Sequence, residues 1–181
     1  MSRVIVLDRD GVINEDSDAF VKSAQEWLPI AGSLEAIARL NHAGWKVAVA
    51  TNQSGIKRGY YDRATLSSMH LKLKTMLEAY GGRVDWINFS PYLSDCGSVC
   101  RKPLTGMLRA IEGALDVDLQ GQPMVGDTLA DIKVAQAYGM NAHLVKTGKG
   151  KRTLAAEPSI IKQVKVYDNL AVMVDELLRI S

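Results

Sequence analysis

The sequence predicts an α/β protein: a three-layer, Rossmann-like parallel sheet with helices on both faces and no large cap domain. Three observations carry that expectation. Short apolar runs alternate with helical patterns six times along the 181 residues, which is the rhythm of βα units. The first run, Val4-Ile5-Val6-Leu7, is continuously apolar, as a strand buried on both faces must be. Polar and acidic stretches follow directly after these runs, and in parallel sheets ligands bind at the carboxyl ends of the strands.

The elements read in order. Val4–Leu7 is the first strand. Ser33 caps a helix with Leu34, Ile37 and Leu40 on one face, closed by Gly44. Lys46–Ala50 (KVAVA) is the second strand. From Asp62, the residues Leu66, Met69, Leu73, Met76, Leu77 and Tyr80 recur at helical spacing until Gly81-Gly82. Asp85–Phe89 is a third strand, and Leu108, Ile111 and Leu115 mark the next helix. Pro123–Val125 is a short strand, followed by a helix carrying Leu129, Ile132 and Ala135. His143–Val145 and Val164–Val166 are late strands, and Asp168 starts a C-terminal helix with Leu170, Val174, Leu177 and Leu178. The length fits one domain, residues 1–181.

Bulk properties exclude several classes. Apolar residues make up 47% and charged residues 23%, and the formal net charge is +2, too mild to imply nucleic acid or a membrane surface. No apolar run approaches the ~18 residues of a membrane span, and the charged Asp8 comes too early for a secretory signal. Two cysteines, Cys96 and Cys100, build no disulfide framework, so the expected compartment is the cytoplasm. The expected state is a monomer.

Four stretches fall at strand ends: Asp8-Arg9-Asp10-Gly11, Thr51-Asn52-Gln53-Ser54-Gly55, Arg101-Lys102-Pro103, and Gly126-Asp127 with Asp131. Carboxylates, a cation and backbone donors together are what a Mg²⁺-phosphate site requires. On an extended tip Asp8 and Asp10 project to one side, ~6.6 Å apart along the chain. Such a gap suits a metal, or a phosphoryl group with one carboxylate attacking and the other moving protons. Gly11 directly after Asp10 rules out a calcium loop of the EF-hand type.

Each stretch also has a plainer reading. A D-x-D can be a charged turn, and Asp116-Val117-Asp118, which follows a helical pattern, is read as a solvated helix end. TNQSG suits a turn, and Thr128-x-x-Asp131 is a capping box. His42, His70 and His143 share no spacing and are assigned to core or surface. Lys146, Lys149, Lys151 and Arg152 are glycine-spaced without stacking aromatics, and are read as a solvated loop near the far end of a phosphorylated substrate.

Taken in order, the motifs LDRDGVIN, ATNQSGIKRGYY, CRKPLTGML, VGDTLAD and LVKTGKG span most of the chain and resemble the haloacid dehalogenase-like phosphatases. Within them they resemble the group that holds the heptose 1,7-bisphosphate 7-phosphatases and the related histidinol-phosphate phosphatases. The resemblance implies a single phosphatase domain that removes the 7-phosphate of D-glycero-D-manno-heptose 1,7-bisphosphate through an aspartyl-phosphate. It makes Asp8 the nucleophile and Asp10 the acid/base. Mg²⁺ is then held by Asp8, the backbone carbonyl of Asp10, and Asp127, with Asp131 behind them. Thr51 and Lys102 stabilise the transferring phosphoryl group. Asp16, Asn52, Gln53, Ser54 and Arg101 bind the sugar phosphate. Histidinol phosphate is the alternative substrate, and a non-catalytic phospholigand-binding module is the alternative class.

One departure stands out. The resembling phosphatases carry a zinc loop patterned Cys-x-His and Cys-x-Cys before Arg-Lys-Pro. Here those places read Ser90-Pro91-Tyr92 and Ser98-Val99-Cys100. Two thiols without a nearby histidine leave a four-ligand site incomplete, so zinc is expected to be absent.

Overall fold

A computed structural model describes residues 3–180. The elements run β1 (Val4–Leu7), α1 (Ser33–His42), β2 (Lys46–Asn52), α2 (Arg63–Glu78), β3 (Trp86–Ser90), α3 (Gly106–Leu115), β4 (Pro123–Gly126), α4 (Leu129–Tyr138), β5 (Asn141–Val145), α5 (Gly150–Ala156), β6 (Lys165–Tyr167) and α6 (Leu170–Ile180). A 3₁₀ turn, Pro158–Lys162, joins α5 to β6.

The strands form one parallel sheet in the order β3-β2-β1-β4-β5-β6. From β1 the chain winds outward through β2 to β3, then returns to β4 on the other side of β1 and winds to β6. The direction of winding therefore reverses between β1 and β4, and a crevice opens there at the carboxyl ends. The Asp8 N–H donates to the Val125 carbonyl at 2.9 Å, so the tips of β1 and β4 stay joined up to the acids that follow them.

The two faces of the sheet sort the side chains. Ile5 and Leu7 of β1, with Val47 and Val49 of β2, pack under α1, α2 and α6. Their neighbours Val4, Val6, Ala48 and Ala50 face α3 and α4. That period of two is the pleat itself, and burial of all four β1 residues explains why the run is continuously apolar. The three-layer expectation holds.

Several boundaries differ. The first helix is preceded by Gly32 in the left-handed region (φ 80°), and Ser33 lies inside the helix. The Ser33 hydroxyl donates instead to the Ile13 carbonyl at 2.6 Å, tying α1 to the loop after β1. Asp62 does cap α2, accepting from the Thr65 N–H at 2.8 Å. The C-terminal helix is capped by Asn169, whose side chain accepts from the Val172 N–H at 3.0 Å, while Asp168 pairs with Lys146 at 2.9 Å. Strand β2 continues through Asn52 because Thr51 and Asn52 pair with Phe89 and Ser90. Asp116 and Asp118 are exposed at the end of α3, as expected. No helix among the described residues is long and apolar enough to cross a membrane.

His143 lies on β5 beside Tyr167, and its Nδ1 is buried without a partner. Burial, followed by the charge of Lys165, pushes its pKa down to about 4. The unfolded imidazole titrates near 6.5, so between pH 6.5 and 4 the unfolded chain binds a proton that the folded chain refuses. Stability should therefore fall as pH drops through this window, by about 1.4 kcal/mol per pH unit for each such histidine. Denaturant titrations at several pH values should give a shallower loss for His143→Gln than for the parent.

Candidate active site

The crevice holds every stretch singled out at the strand ends. Asp8 follows β1 and Asp127 follows β4, while Thr51 and Asn52 end β2. Lys102 comes from the segment before α3, and Asp131 from the first turn of α4. Together they enclose a cavity of about 390 Å³, lined among others by Asp8, Asp10, Asp127, Lys102, Arg101 and Gln53.

The charge balance is the central fact. Lys102 is 3% exposed, and its ammonium reaches three acceptors: Asp8 Oδ1 at 3.0 Å, Asp131 Oδ1 at 2.6 Å and the Ala50 carbonyl at 2.7 Å. Asp131 spends its other oxygen on the Thr128 N–H (3.0 Å) and hydroxyl (2.6 Å), closing the capping box of α4. Among the described residues the Asp127 carboxylate accepts only a backbone N–H, that of Lys149 at 2.7 Å. One oxygen from each of Asp8, Asp127 and Asp131 lies within 4.8 Å of the others. Two of these buried carboxylates share the Lys102 ammonium, and the third, Asp127, has no contact with it.

Two pKa values record the imbalance. Burial raises Asp8 to about 7, with Lys102 opposing and Asp131 and Asp10 adding repulsion. Burial raises Asp127 to about 8, with Asp8 and then Asp131 reinforcing it. An oxygen-rich pocket with surplus negative charge fits a hard divalent cation such as Mg²⁺.

Glycines allow the acids to sit this close. Gly11 adopts φ +83°, and a Cβ there would stand 2.1 Å from Asp127 Oδ2. A Cβ on Gly148 (φ +55°) would stand 2.3 Å from the same atom. The Thr147 hydroxyl donates to the Gly11 carbonyl at 2.6 Å, so the turn after β1 and the loop after β5 close around the Asp127 carboxylate.

Asp10 is separated from this cluster in character. Burial works against its charge, but the Arg9 guanidinium, with Asn14 and Gln53, holds its carboxyl below the usual range. Arg9 donates to Asp10 through Nη2 at 2.8 Å and Nε at 3.1 Å, and the Asn14 and Gln53 amides each donate at 2.8 Å. Arg9 is fully buried, also touching His70 Nε2 at 3.3 Å and Met69 Sδ at 3.7 Å. Its contribution was not legible in the sequence, where a cation between two acids reads as part of a surface turn. Tyr61, also missed, donates its hydroxyl to Gln53 Oε1 at 2.5 Å.

The remaining predicted residues divide into two groups. Asn52, Gln53, Ser54, Asp16 and Arg101 line the cavity with Asp8, Asp10 and Lys102. Thr51 and Asp131 stand just behind its surface: Thr51 Oγ1 accepts from the Gln53 amide at 2.8 Å and keeps its own proton to donate. Asn52 and Lys102 are clipped together, the Asn52 amide donating to the Lys102 carbonyl (3.2 Å) and the Lys102 N–H to Asn52 Oδ1 (3.1 Å). Arg101 Nη1 donates to the Tyr92 carbonyl at 3.0 Å, and burial with the nearby Arg58 charge lowers its pKa. No carboxylate among the described residues pairs with Arg101.

The Lys146–Arg152 stretch corrects the sequence reading. It is a loop only as far as Lys149, since α5 begins at Gly150, and although Lys151 and Arg152 stay exposed, Lys149 pairs with Asp16 at 2.8 Å and Arg152 with Asp18 at 2.8 Å. Cys96 is exposed, and Cys100 packs against the core under α3 and α4.

A parallel sheet whose reversal point gathers D-x-D, a hydroxyl-bearing strand end, a buried lysine and a second acidic loop defines a phosphohydrolase of the haloacid dehalogenase-like class. A profile of the HAD-hydrolase-like family matches residues 99–173. The chain is 50% identical over 176 residues to D-glycero-β-D-manno-heptose-1,7-bisphosphate 7-phosphatase of Pseudomonas putida, covering 97% of this chain and 99% of that one. It is 50% identical over 180 residues to the enzyme of the same name from Pseudomonas aeruginosa, covering 99% and 100%. The crystal structure of D,D-heptose 1,7-bisphosphate phosphatase from Bordetella bronchiseptica, complexed with magnesium and phosphate, superposes with a TM-score of 0.94 at 49% identity, covering 99% of both chains. The chain belongs to the heptose 1,7-bisphosphate 7-phosphatase family of HAD-like hydrolases.

Replacing Lys102 should be severe. Lys102→Met leaves Asp8 and Asp131 buried without their common counter-charge, a change that typically costs about 3–5 kcal/mol. Denaturant unfolding at neutral pH should show that loss. It should shrink as pH falls and the stranded carboxylates protonate.

Proposed function

We propose that this protein is a Mg²⁺-dependent phosphomonoester hydrolase that removes the 7-phosphate of D-glycero-D-manno-heptose 1,7-bisphosphate. The single observation that carries the chemistry is the cluster of Asp8, Asp127 and Asp131, with one buried ammonium bonded to Asp8 and Asp131, beside a cavity that Asp10 also lines. The substrate follows from relatives of that name at 50% identity along nearly the whole chain.

The roles follow from the contacts. Asp8 is the nucleophile: the Arg9 N–H (2.7 Å) and Lys102 (3.0 Å) both hold its Oδ1, leaving Oδ2 to attack phosphorus and form the aspartyl-phosphate. Asp10 is the acid/base: its Arg9, Asn14 and Gln53 contacts keep it ionised in the free site. It therefore takes a proton from solvent as the phosphate dianion enters, gives it to the leaving alkoxide, and then takes one from the water that breaks the acyl-phosphate. Lys102 and the Thr51 hydroxyl offset charge on the phosphoryl oxygens. Mg²⁺ is held by Asp8, the Asp10 backbone carbonyl and Asp127, and when bound it neutralises the carboxylates that would otherwise repel a phosphate dianion. Asp131 orients Lys102 from behind. Asp16, Asn52, Gln53, Ser54 and Arg101 bind the sugar phosphate, with Arg101 offering an unpaired guanidinium to the distal group.

The chain works as a single domain, residues 1–181, as a cytoplasmic monomer without zinc. The zinc reading rests on ligand chemistry, since Cys96 and Cys100 bring no histidine or further thiol with them.

Phosphate release from the heptose bisphosphate should exceed that from histidinol phosphate and should require added Mg²⁺. Asp8→Asn should abolish turnover while circular dichroism remains unchanged. Wild-type activity in that variant would overturn the covalent route. Elemental analysis should find no stoichiometric zinc.

A further inference from the structure

A pocket built for a bisphosphate is an odd place for extra acids. Yet Asp16 and Asp18, on the loop after β1, both line it. Each has a cation of its own. Arg152 takes both oxygens of Asp18, at 2.8 and 3.1 Å, but the two side chains are 63% and 72% exposed. A pair that open to water contributes little. Asp16 is different: its side chain is only 13% exposed, and Lys149 Nζ meets it at 2.8 Å.

Lys149 is held in place from three directions. Its backbone N–H donates to Asp127 Oδ2 at 2.7 Å. The preceding Gly148 lies against Gly11, and Thr147 donates to the Gly11 carbonyl. The ammonium therefore projects into the cavity from a fixed root beside the chemistry, reaching the loop that forms the opposite wall. Phe20, also lining the cavity, stiffens that wall with an edge contact to Tyr60 at 5.1 Å.

A neutralised carboxylate–ammonium pair is poor at gripping a phosphate and good at reading hydroxyls. The carboxylate accepts from one O–H, while the ammonium, with three donors, can offer a free N–H to the next oxygen. Resting on the sugar-phosphatase reading above, we propose that Lys149 is a specificity-determining residue that, paired with Asp16, recognises neighbouring hydroxyls on the polyhydroxy portion of the substrate. Lys149 thereby favours phosphorylated sugars over phosphomonoesters without hydroxyls.

The test compares kcat/KM for the heptose bisphosphate and for p-nitrophenyl phosphate in the parent, Lys149→Met and Lys149→Arg. The Met variant should lower the sugar-to-aryl ratio at least tenfold, mainly through KM for the sugar, and Arg should restore part of it. The apparent Mg²⁺ requirement should move far less than the ratio, because the hydrogen bond to Asp127 belongs to the backbone and only the longer-range charge of the side chain is lost there. Equal losses on both substrates would make Lys149 a structural residue and overturn the proposal, as would an unchanged ratio. Should the Met variant fail to fold, Lys149→Gln is read in its place, and an unchanged ratio or equal losses on both substrates there overturn the proposal in the same way. Mg²⁺-dependent hydrolysis of the aryl ester by the parent, without activity on the sugar, would sink the substrate reading instead.

Discussion

The site depends on one ammonium placed among acids. Lys102 lies where β1, β2 and α4 converge, bonded to Asp8, Asp131 and the Ala50 carbonyl, and almost sealed from water. A buried lysine alone would shed its proton, and a buried pair of carboxylates alone would take one up. Beside them the ammonium keeps its proton, the Lys102 pKa being pushed above its usual value by Asp131 and Asp8 against the cost of burial. Because Asp127 adds a third carboxylate with only a backbone donor, the balance is left one cation short. That deficit is structural in origin and chemical in effect.

The second acid of the D-x-D pair is stabilised by a different device. Arg9 turns inward between the two aspartates and locks onto Asp10, with Gln53 and Tyr61 completing the ring of contacts. Two acids one residue apart after the same strand thus sit in opposite environments. Asp8 is left with a raised pKa near 7, and Asp10 is held low. The assigned roles need the reverse order, which Mg²⁺ beside Asp8 and a phosphate dianion beside Asp10 would supply by favouring the ionised form of the first and the protonated form of the second.

Most of the fold and much of the site were legible because both obey periodicity. Apolar runs mark the strands, and in a parallel sheet the residue after a run is at the carboxyl end. Asp8, Thr51 and Asp127 are placed by that rule alone. What escaped were contacts across long sequence separations. Arg152 and Asp18 are 134 positions apart, so a glycine-spaced basic stretch read as solvated loop when its partners lay near the other end of the chain. Ser33 misled for a local reason: a serine before an apolar run is normally a cap, but here Gly32 takes the left-handed position and frees the hydroxyl for Ile13. Arg9 misled because no local pattern distinguishes a buried arginine from an exposed one. Asp131 had two readings, capping box and site residue, and one carboxylate satisfies both, with an oxygen for each.

The loops reach the site by close backbone approach more than by side-chain reach. Side chains at positions 11 and 148 would each collide with Asp127, and both glycines adopt positive φ. Bare backbone at these two points lets the turn after β1 and the loop after β5 meet over the carboxylate. The Lys149 N–H then faces Asp127, and its side chain turns toward Asp16. One residue therefore touches the acid cluster through its main chain and the substrate wall through its side chain. The first contact survives substitution of the side chain and the second does not, so in this fold the chemistry can be kept constant while the choice of substrate varies.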